Sequence, residues 1–215
     1  MSPSTGRGDR PDPTAFDAVA SPDRVEAVAR ALRERGFDVE IVDGPESARE
    51  AVLRRLGPTD EVLEAKSLTL QEIELYRDGP APSPYRRLRP ELDRLTREGL
   101  RDEKRRRGAS PDVIVGSAQA VTEQGEVLVA SGSGSQLGPY SYGAARVIWV
   151  IGTQKIVRDL DEGLRRIREF ALPREDARVR GHGGSGSSFN KLLVVFGEHQ
   201  AHRVSVILVR SKLGV

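Results

Sequence analysis

No cysteine occurs anywhere in the chain. That excludes disulfides, thiolate-held iron–sulfur clusters, a cysteine nucleophile and cysteine-rich zinc sites from the chemistry these residues can supply. Histidine is scarce as well. His182, His199 and His202 are scattered, and the last two fall in the turn-like EHQAHR, so no metal site is expected. No apolar run approaches the roughly 20 residues of a membrane-spanning helix. The first twenty residues lack the apolar core of a secretory signal, so a cytoplasmic protein with no membrane partner is expected. An excess of one charge is also missing. Lys and Arg number 34 against 32 Asp and Glu, a net charge of only +2 despite a pI near 9.1. Nucleic-acid binders concentrate Lys and Arg on one face; here arginine is interleaved with acids, and no nucleic-acid partner is expected. Even RDEKRRR, Arg101 to Arg107, reads as a solvated helix end. No internal repeat is visible.

What remains is enough for one domain. A chain of 215 residues can bury a core without staples. Residues 1–20, rich in Ser, Gly, Pro, Asp and Arg, read as a disordered leader, and 21–215 as the folded unit. Ser21-Pro22 is an N-cap followed by proline at the first helical position, and Val25, Val28, Ala29 and Leu32 follow at helical spacing. DVEIV, Asp38 to Val42, reads as a strand, and a second helix starts near Pro45. EVLEA, Glu61 to Ala65, is a short strand; Thr69-Leu-Gln-Glu72 has the spacing of a capping box. Asp78 to Pro84 reads as a loop, and Leu88 to Arg107 as one charged helix ending at Gly108. DVIVGSAQAV and EVLVA read as two strands around the turn TEQG. RVIWVIG, Arg146 to Gly152, reads as a strand buried on both faces, with Trp149 in the core. A helical stripe of Leu160, Leu164, Ile167 and Phe170 precedes two further buried strands, KLLVVF and RVSVILV. The class is α/β: a mixed, largely parallel sheet flanked by helices.

The chemistry-bearing stretch is VASGSGSQLG. Ser131, Gly132, Ser133, Gly134, Ser135 and Gln136 follow a strand, where glycines admit a ligand close to the backbone and successive N–H groups can form an anion nest. The glycine spacing (Gly132, Gly134, Gly138) is G-x-G-x-x-x-G, not a nucleotide fingerprint, and a strand connector fits the composition equally well. The second glycine-rich loop, GHGGSGSSFNK, has Ser187 where a phosphate-binding loop needs lysine. Thr153, Gln154 and Lys155 follow the RVIWVIG strand, and Asn190 and Lys191 precede KLLVVF; all five are candidate ligand-binding residues. Glu123 and Lys155 are the candidate catalytic residues, although a plain hairpin turn fits Glu123 better. Tyr140 and Tyr142 flank the loop and can stack on a ligand or pack. No Ser-His-Asp order or G-x-S-x-G elbow can be made out. On this reading Gly134→Val damages ligand binding more than stability.

The run from Val113 to Ile167, with GSQL, YGA, VIWVIGTQKIV and DLDE, closely resembles the LUD-domain family of lactate-utilisation proteins, lactate-utilisation protein C among them. The similarity covers roughly residues 60–215, with a weaker helical part from about 21. It implies a fold like that of ribose-phosphate isomerases, sugar-phosphate deaminases and coenzyme A transferases. It implies partners too, because some members belong to an iron–sulfur lactate-oxidising system with iron–sulfur and oxidase-like subunits. This chain could hold no thiolate-ligated cluster, so such cofactors would sit in the partners. Relatives carry a G-V-G-S-G-V-N-K-like segment where this chain has GHGGSGSSFNK; the Asn-Lys is kept and the glycine phase altered. In the early region Lys66 and Ser67 correspond to a Ser/Thr-rich turn of relatives and are possible ligand contacts.

Two functions are therefore expected. The first is an accessory protein of lactate or related organic-acid utilisation that binds a small anionic ligand, iron–sulfur partner subunits, or both. The alternative is a transferase- or isomerase-type enzyme acting on a phosphorylated or coenzyme A-linked substrate. Whether the chain turns over a substrate is left open, as is its oligomeric state, with a homodimer among the options.

Overall fold

The computed structural model describes residues 16–75 and 83–215. The central element is an all-parallel six-stranded sheet. Its members are β1 (Asp38–Val42), β2 (Glu61–Glu64), β3 (Arg86–Arg87), β4 (Val113–Gly116), β7 (Arg146–Gly152) and β10 (Val204–Val209), in the order β1-β10-β7-β4-β2-β3. A second sheet of four strands contains β5 (Ala120–Thr122), β6 (Val127–Ser131), β8 (Ile156–Val157) and β9 (Lys191–Val195), in the order β8-β5-β6-β9. Here β5 runs parallel to β8, while β6 is antiparallel to both β5 and β9.

Side-chain alternation explains the layering. On β7, Val147, Trp149 and Ile151 face one core, while Ile148 and Val150 face another. On β10, Val204, Val206 and Leu208 join the first core, and Ile207 and Val209 the second. Continuous apolar strands are what a parallel sheet covered on both faces demands. One cover is α2 (Pro45–Leu53) with α3 (Leu68–Glu72); the other includes α1 (Pro22–Glu34), α4 (Arg89–Arg97) and the inner face of the second sheet through Val121, Val127 and Val129. The outer face of that sheet, at Ala120 and Leu128, packs on Ile167 and Phe170. These last two belong to a helical run of α6 (Leu160–Arg165), a wide turn (Arg166–Ala171) and α7 (Leu172–Gly181). The start of α1 is as the sequence indicates: the Ser21 hydroxyl accepts from the Arg24 N–H at 3.4 Å, and Val25, Val28, Ala29 and Leu32 are fully buried. Each of the valines and the leucine contributes about 1.5–3 kcal/mol of burial.

Several local expectations are corrected. The strand read over DVIVGSAQAV is two strands in different sheets, because the chain leaves the large sheet at Ser117 and re-enters the small one at Ala120. What looked like one mixed sheet is thus a parallel sheet and a separate mixed one. The helix over Leu88 to Arg107 is broken at Gly99-Leu100 into α4 and α5 (Arg101–Arg107); α5 buries no side chain, and its Arg107 pairs with Glu91 of α4 and Glu61 of β2. Thr69 caps nothing: it lies inside α3, Ser67 is the N-cap residue, and no side chain bonds the cap. KLLVVF is an edge strand whose Lys191 and Leu192 are exposed, not a buried strand. The leader lies outside the described residues up to position 15. Beyond it, Phe16 is buried edge-on to Phe170 with ring centroids 6.0 Å apart, so packing begins before Ser21. Residues 76–82, most of the loop expected over Asp78 to Pro84, also lie outside the described residues. Among the described residues no helix is long and apolar enough to cross a membrane.

Candidate functional site

After β2 the chain turns to β3 on one side and then returns past β2 to β4 on the other. Connections therefore diverge at the carboxyl ends of β2 and β4, the place where an open parallel sheet leaves a crevice. A pocket of about 210 Å³ lies there. Ala65, Lys66 and Ser67 enter it after β2, Ser117, Ala118 and Gln119 after β4, and Lys155 after β7. The small sheet supplies the facing wall through Ser131 and Gly132 at the end of β6 and through Ser187, Ser188 and Phe189 before β9. Tyr140, Ile167 and Leu172 add apolar surface.

Lys155 is the charged centre of this arrangement. It is 2% exposed, and its Nζ donates to Thr69 Oγ1 at 3.0 Å and Ser117 Oγ at 3.1 Å. Those two hydroxyls lie 3.2 Å from one another. Among the described residues no carboxylate forms an ion pair with it. Burial, helped by the charge of Arg166 and opposed by Glu72, pulls the amine down to about 7. Glu72 is committed elsewhere, accepting from the Gly214 N–H at 2.5 Å. Arg166 is itself fully buried; its Nη1 donates to the Gln119 carbonyl at 2.5 Å and holds the crossover between the two sheets.

The pocket wall offers unused donors. Gln119 Oε1 accepts from the Ala130 N–H at 2.8 Å, and Gln136 Oε1 accepts from Ser131 Oγ at 3.1 Å. The Nε2 groups of both have no protein partner among the described residues. Tyr140, whose phenol is pushed up by burial, stands edge-on to Trp149 with centroids 5.4 Å apart. Tyr142 points to solvent.

The glycine–serine loop is used differently from its composition. Because β6 belongs to the small sheet, the loop approaches the crevice from the side, and only Ser131, Gly132 and Gln136 line the pocket. Ser133, Gly134 and Ser135 fold on themselves: the Gly134 N–H donates to Ser131 Oγ at 2.9 Å and the Ser135 N–H to Ser133 Oγ at 3.3 Å. Gly134 sits at φ +85°, and a Cβ there would come 2.7 Å from Lys191 Cδ. Gly134→Val is accordingly expected to cost about 1–3 kcal/mol of stability with little loss of ligand affinity, which parallel melting and binding measurements check.

The other sequence candidates are spread out. Thr153 and Gln154 are buried beside the pocket, Gln154 Nε2 donating to the Leu213 carbonyl at 2.8 Å. Asn190 Nδ2 donates to the Gly132 carbonyl at 3.2 Å and Lys191 Nζ to the Ser133 carbonyl at 2.7 Å, so both brace the loop. Lys66 and Ser67 do line the pocket. Glu123 lies on the β5–β6 turn, paired at 2.7 Å with Arg24 and away from the pocket residues. Glu123→Gln is expected to leave binding unchanged and to cost at most about 1 kcal/mol, as for a half-exposed pair.

Thr69, Ser117, Gln119, Arg166, Ser187 and Ser188 escaped the sequence reading. Ser117 and Gln119 sit inside an apparent strand, Thr69 matched a capping pattern, and Arg166 resembled a solvated helix cation. The one usable signal was the polar SAQ between two β-branched runs, which marks a strand that stops. Among the described residues no group of three or more His, Cys, Asp or Glu side chains is placed to hold a metal ion, and without cysteine an iron–sulfur cluster does not fit this chain.

The LUD-domain family model matches residues 25–209. A crystal structure of a DUF162-family protein from Deinococcus radiodurans superposes with a TM-score of 0.51 at 14% identity, covering 89% of this chain and 99% of that one. A crystal structure of eIF2B beta from Chaetomium thermophilum aligns with a TM-score of 0.36 at 18% identity, over 57% of this chain and 42% of that one. No curated protein matches the sequence.

Proposed function

The chain belongs to the LUD-domain family, and from that premise we propose that it serves the utilisation of lactate or a related organic acid by binding a small organic anion in the pocket around Lys155. One observation carries this reading: a lysine buried at the carboxyl ends of the parallel strands, bonded to hydroxyls and, among the described residues, lacking a carboxylate partner. A buried amine is costly to charge unless an opposite charge arrives, so an anion completes the site. The free Nε2 donors of Gln119 and Gln136 support a carboxylate, whose two oxygens accept several hydrogen bonds. A pocket of about 210 Å³ suits a small acid better than a coenzyme A ester. On this reading electrons move in iron–sulfur and oxidase-like partner subunits, since this chain offers no thiolate to a cluster.

Thermal-shift titration with L-lactate, glycolate, pyruvate, inorganic phosphate, a sugar phosphate and acetyl-coenzyme A tests the proposal, because a ligand of the folded state raises the melting temperature by mass action. Saturable stabilisation by the carboxylates is expected. Stabilisation by the phosphate esters or the thioester alone would instead favour transferase or isomerase chemistry.

A further inference from the structure

We propose that Lys155 is a nucleophile, and that its amine condenses reversibly with the carbonyl carbon of a small 2-oxo acid held in the pocket to form a Schiff base. The proposal rests on the organic-acid reading above and names the ligand class that would react there. The geometry suits a neutral amine. An uncharged amine has two N–H donors and one lone pair, and Lys155 Nζ has two protein partners, the hydroxyls of Thr69 and Ser117. A charged ammonium would leave its third donor without a hydrogen-bond partner, because among the described residues no carboxylate is paired with it. The second buried cation, Arg166, is anchored on the Gln119 carbonyl and repels a proton on Lys155. Burial beside another cation is a recognised way to expose the nucleophilic form of a lysine.

The charged and titratable groups around Nζ reinforce this. Glu72 is the acid that favours the ammonium, and its Oε2 accepts from the Gly214 N–H. Glu175, on α7, is bonded to Arg178 at 2.6 and 2.8 Å. Lys66 stands 3.8 Å from Asp93 in solvent, and the Tyr140 phenol stays protonated. The amine therefore titrates near neutrality, with about half the molecules uncharged at pH 7.

The step balances without a further reagent. The nitrogen lone pair attacks the carbonyl carbon, and the carbonyl π electrons move to oxygen. One N–H proton passes to that oxygen through the Thr69–Ser117 hydroxyl pair, giving a carbinolamine. Loss of hydroxide, which takes a proton from solvent and departs as water, then leaves the C=N bond as an iminium protonated at nitrogen. The carboxylate of the acid is left to the Nε2 donors of Gln119 and Gln136.

The test uses the full chain, pyruvate as probe and sodium borohydride as trap at pH 7. Reduction fixes the imine as a secondary amine, and the mass rises by pyruvate less one water plus two hydrogens. We expect one adduct, on Lys155, with trypsin no longer cutting after it. Labelling there should exceed that of Lys66, Lys104, Lys191 or Lys212 by about tenfold or more, since exposed lysines at pH 7 are almost wholly charged. Lys155→Met should carry no adduct, and excess L-lactate should slow labelling of the native chain. Ser117→Ala should slow the labelling rate measured at saturating pyruvate. Pyruvate binding without an adduct, or label spread evenly over the surface lysines, overturns the nucleophile and leaves the organic-acid reading intact. Absence of both binding and adduct overturns the two together.

Discussion

Lys155→Met is expected to abolish anion binding and, at the same pH, to make the protein harder to unfold. Losing the buried cation of the pocket should weaken a carboxylate by about 100-fold or more, the scale of removing one side of a desolvated pair. Stability moves the opposite way because the amine costs the fold something. Its pKa is about 7 in the folded chain against an ordinary 10.5. Below pH 7 both states carry the proton, and the folded one keeps it in a buried site, so the penalty is full. Between the two values the unfolded chain binds a proton that the folded chain does not, and stability rises with pH. Above 10.5 both are neutral and the penalty is gone. At about 1.4 kcal/mol for each pH unit, the difference between variant and native chain should be about 3–5 kcal/mol at pH 6 and fall towards zero by pH 11. Methionine matches lysine in length, and the Thr69 and Ser117 hydroxyls retain each other 3.2 Å apart, so the substitution leaves no bare polar group behind. Denaturant unfolding of both proteins at pH 6, 8 and 10, beside a binding titration, decides the matter. A variant that loses stability at every pH while still binding the acid would mean that Lys155 is a strut rather than a ligand contact.

That contrast also shows what the amino-acid sequence could carry. Strands such as RVIWVIG and RVSVILV were readable because a parallel sheet covered on both faces needs unbroken apolar runs, a pattern few other structures share. The first helix was readable because Ser21-Pro22 and the Val25 to Leu32 stripe agree at cap and face. The second sheet was not, since the three residues Ser117-Ala118-Gln119 that move the chain between sheets are too few to break periodicity in a β-branched stretch. The site follows the same logic. Lys155 was a candidate because it stands directly after a buried strand and within the stretch that resembles the LUD-domain family. Its partners Thr69 and Ser117 lie 86 and 38 residues away in sequence, and no local pattern couples them to it. The glycine–serine loop drew the eye by composition, but Ser131 and Ser133 hydroxyls satisfy its own amides, a tertiary detail that composition does not encode.

Gly116→Ala should be among the most damaging single-methyl additions in the chain, and Tyr140→Phe should partly repair it. A strand glycine replaced by alanine ordinarily gains about 0.5–1 kcal/mol. Gly116 ends β4, where a Cβ would overlap the Tyr140 hydroxyl, stand 2.9 Å from its Cζ and lie 3.2 Å from Ala65 Cβ. Tyr140 cannot retreat, because it is buried with its ring against Trp149. Overpacking of this kind costs about 3 kcal/mol or more, a fall of roughly 6–12 °C in melting temperature for a domain of this size. Removing the hydroxyl alone should cost about 1 kcal/mol or less. In the double variant the oxygen overlap is gone while the Cζ contact persists, so about half the loss should return, a coupling near 1.5 kcal/mol. Because Gly116 leads straight into Ser117 and Tyr140 lines the pocket, the single variant should also lose ligand affinity, and the double variant should regain part of it. Simple additivity of the two stabilities would show that the missing side chain at 116 makes room for something other than the tyrosine, and the wall of the pocket would need a different account.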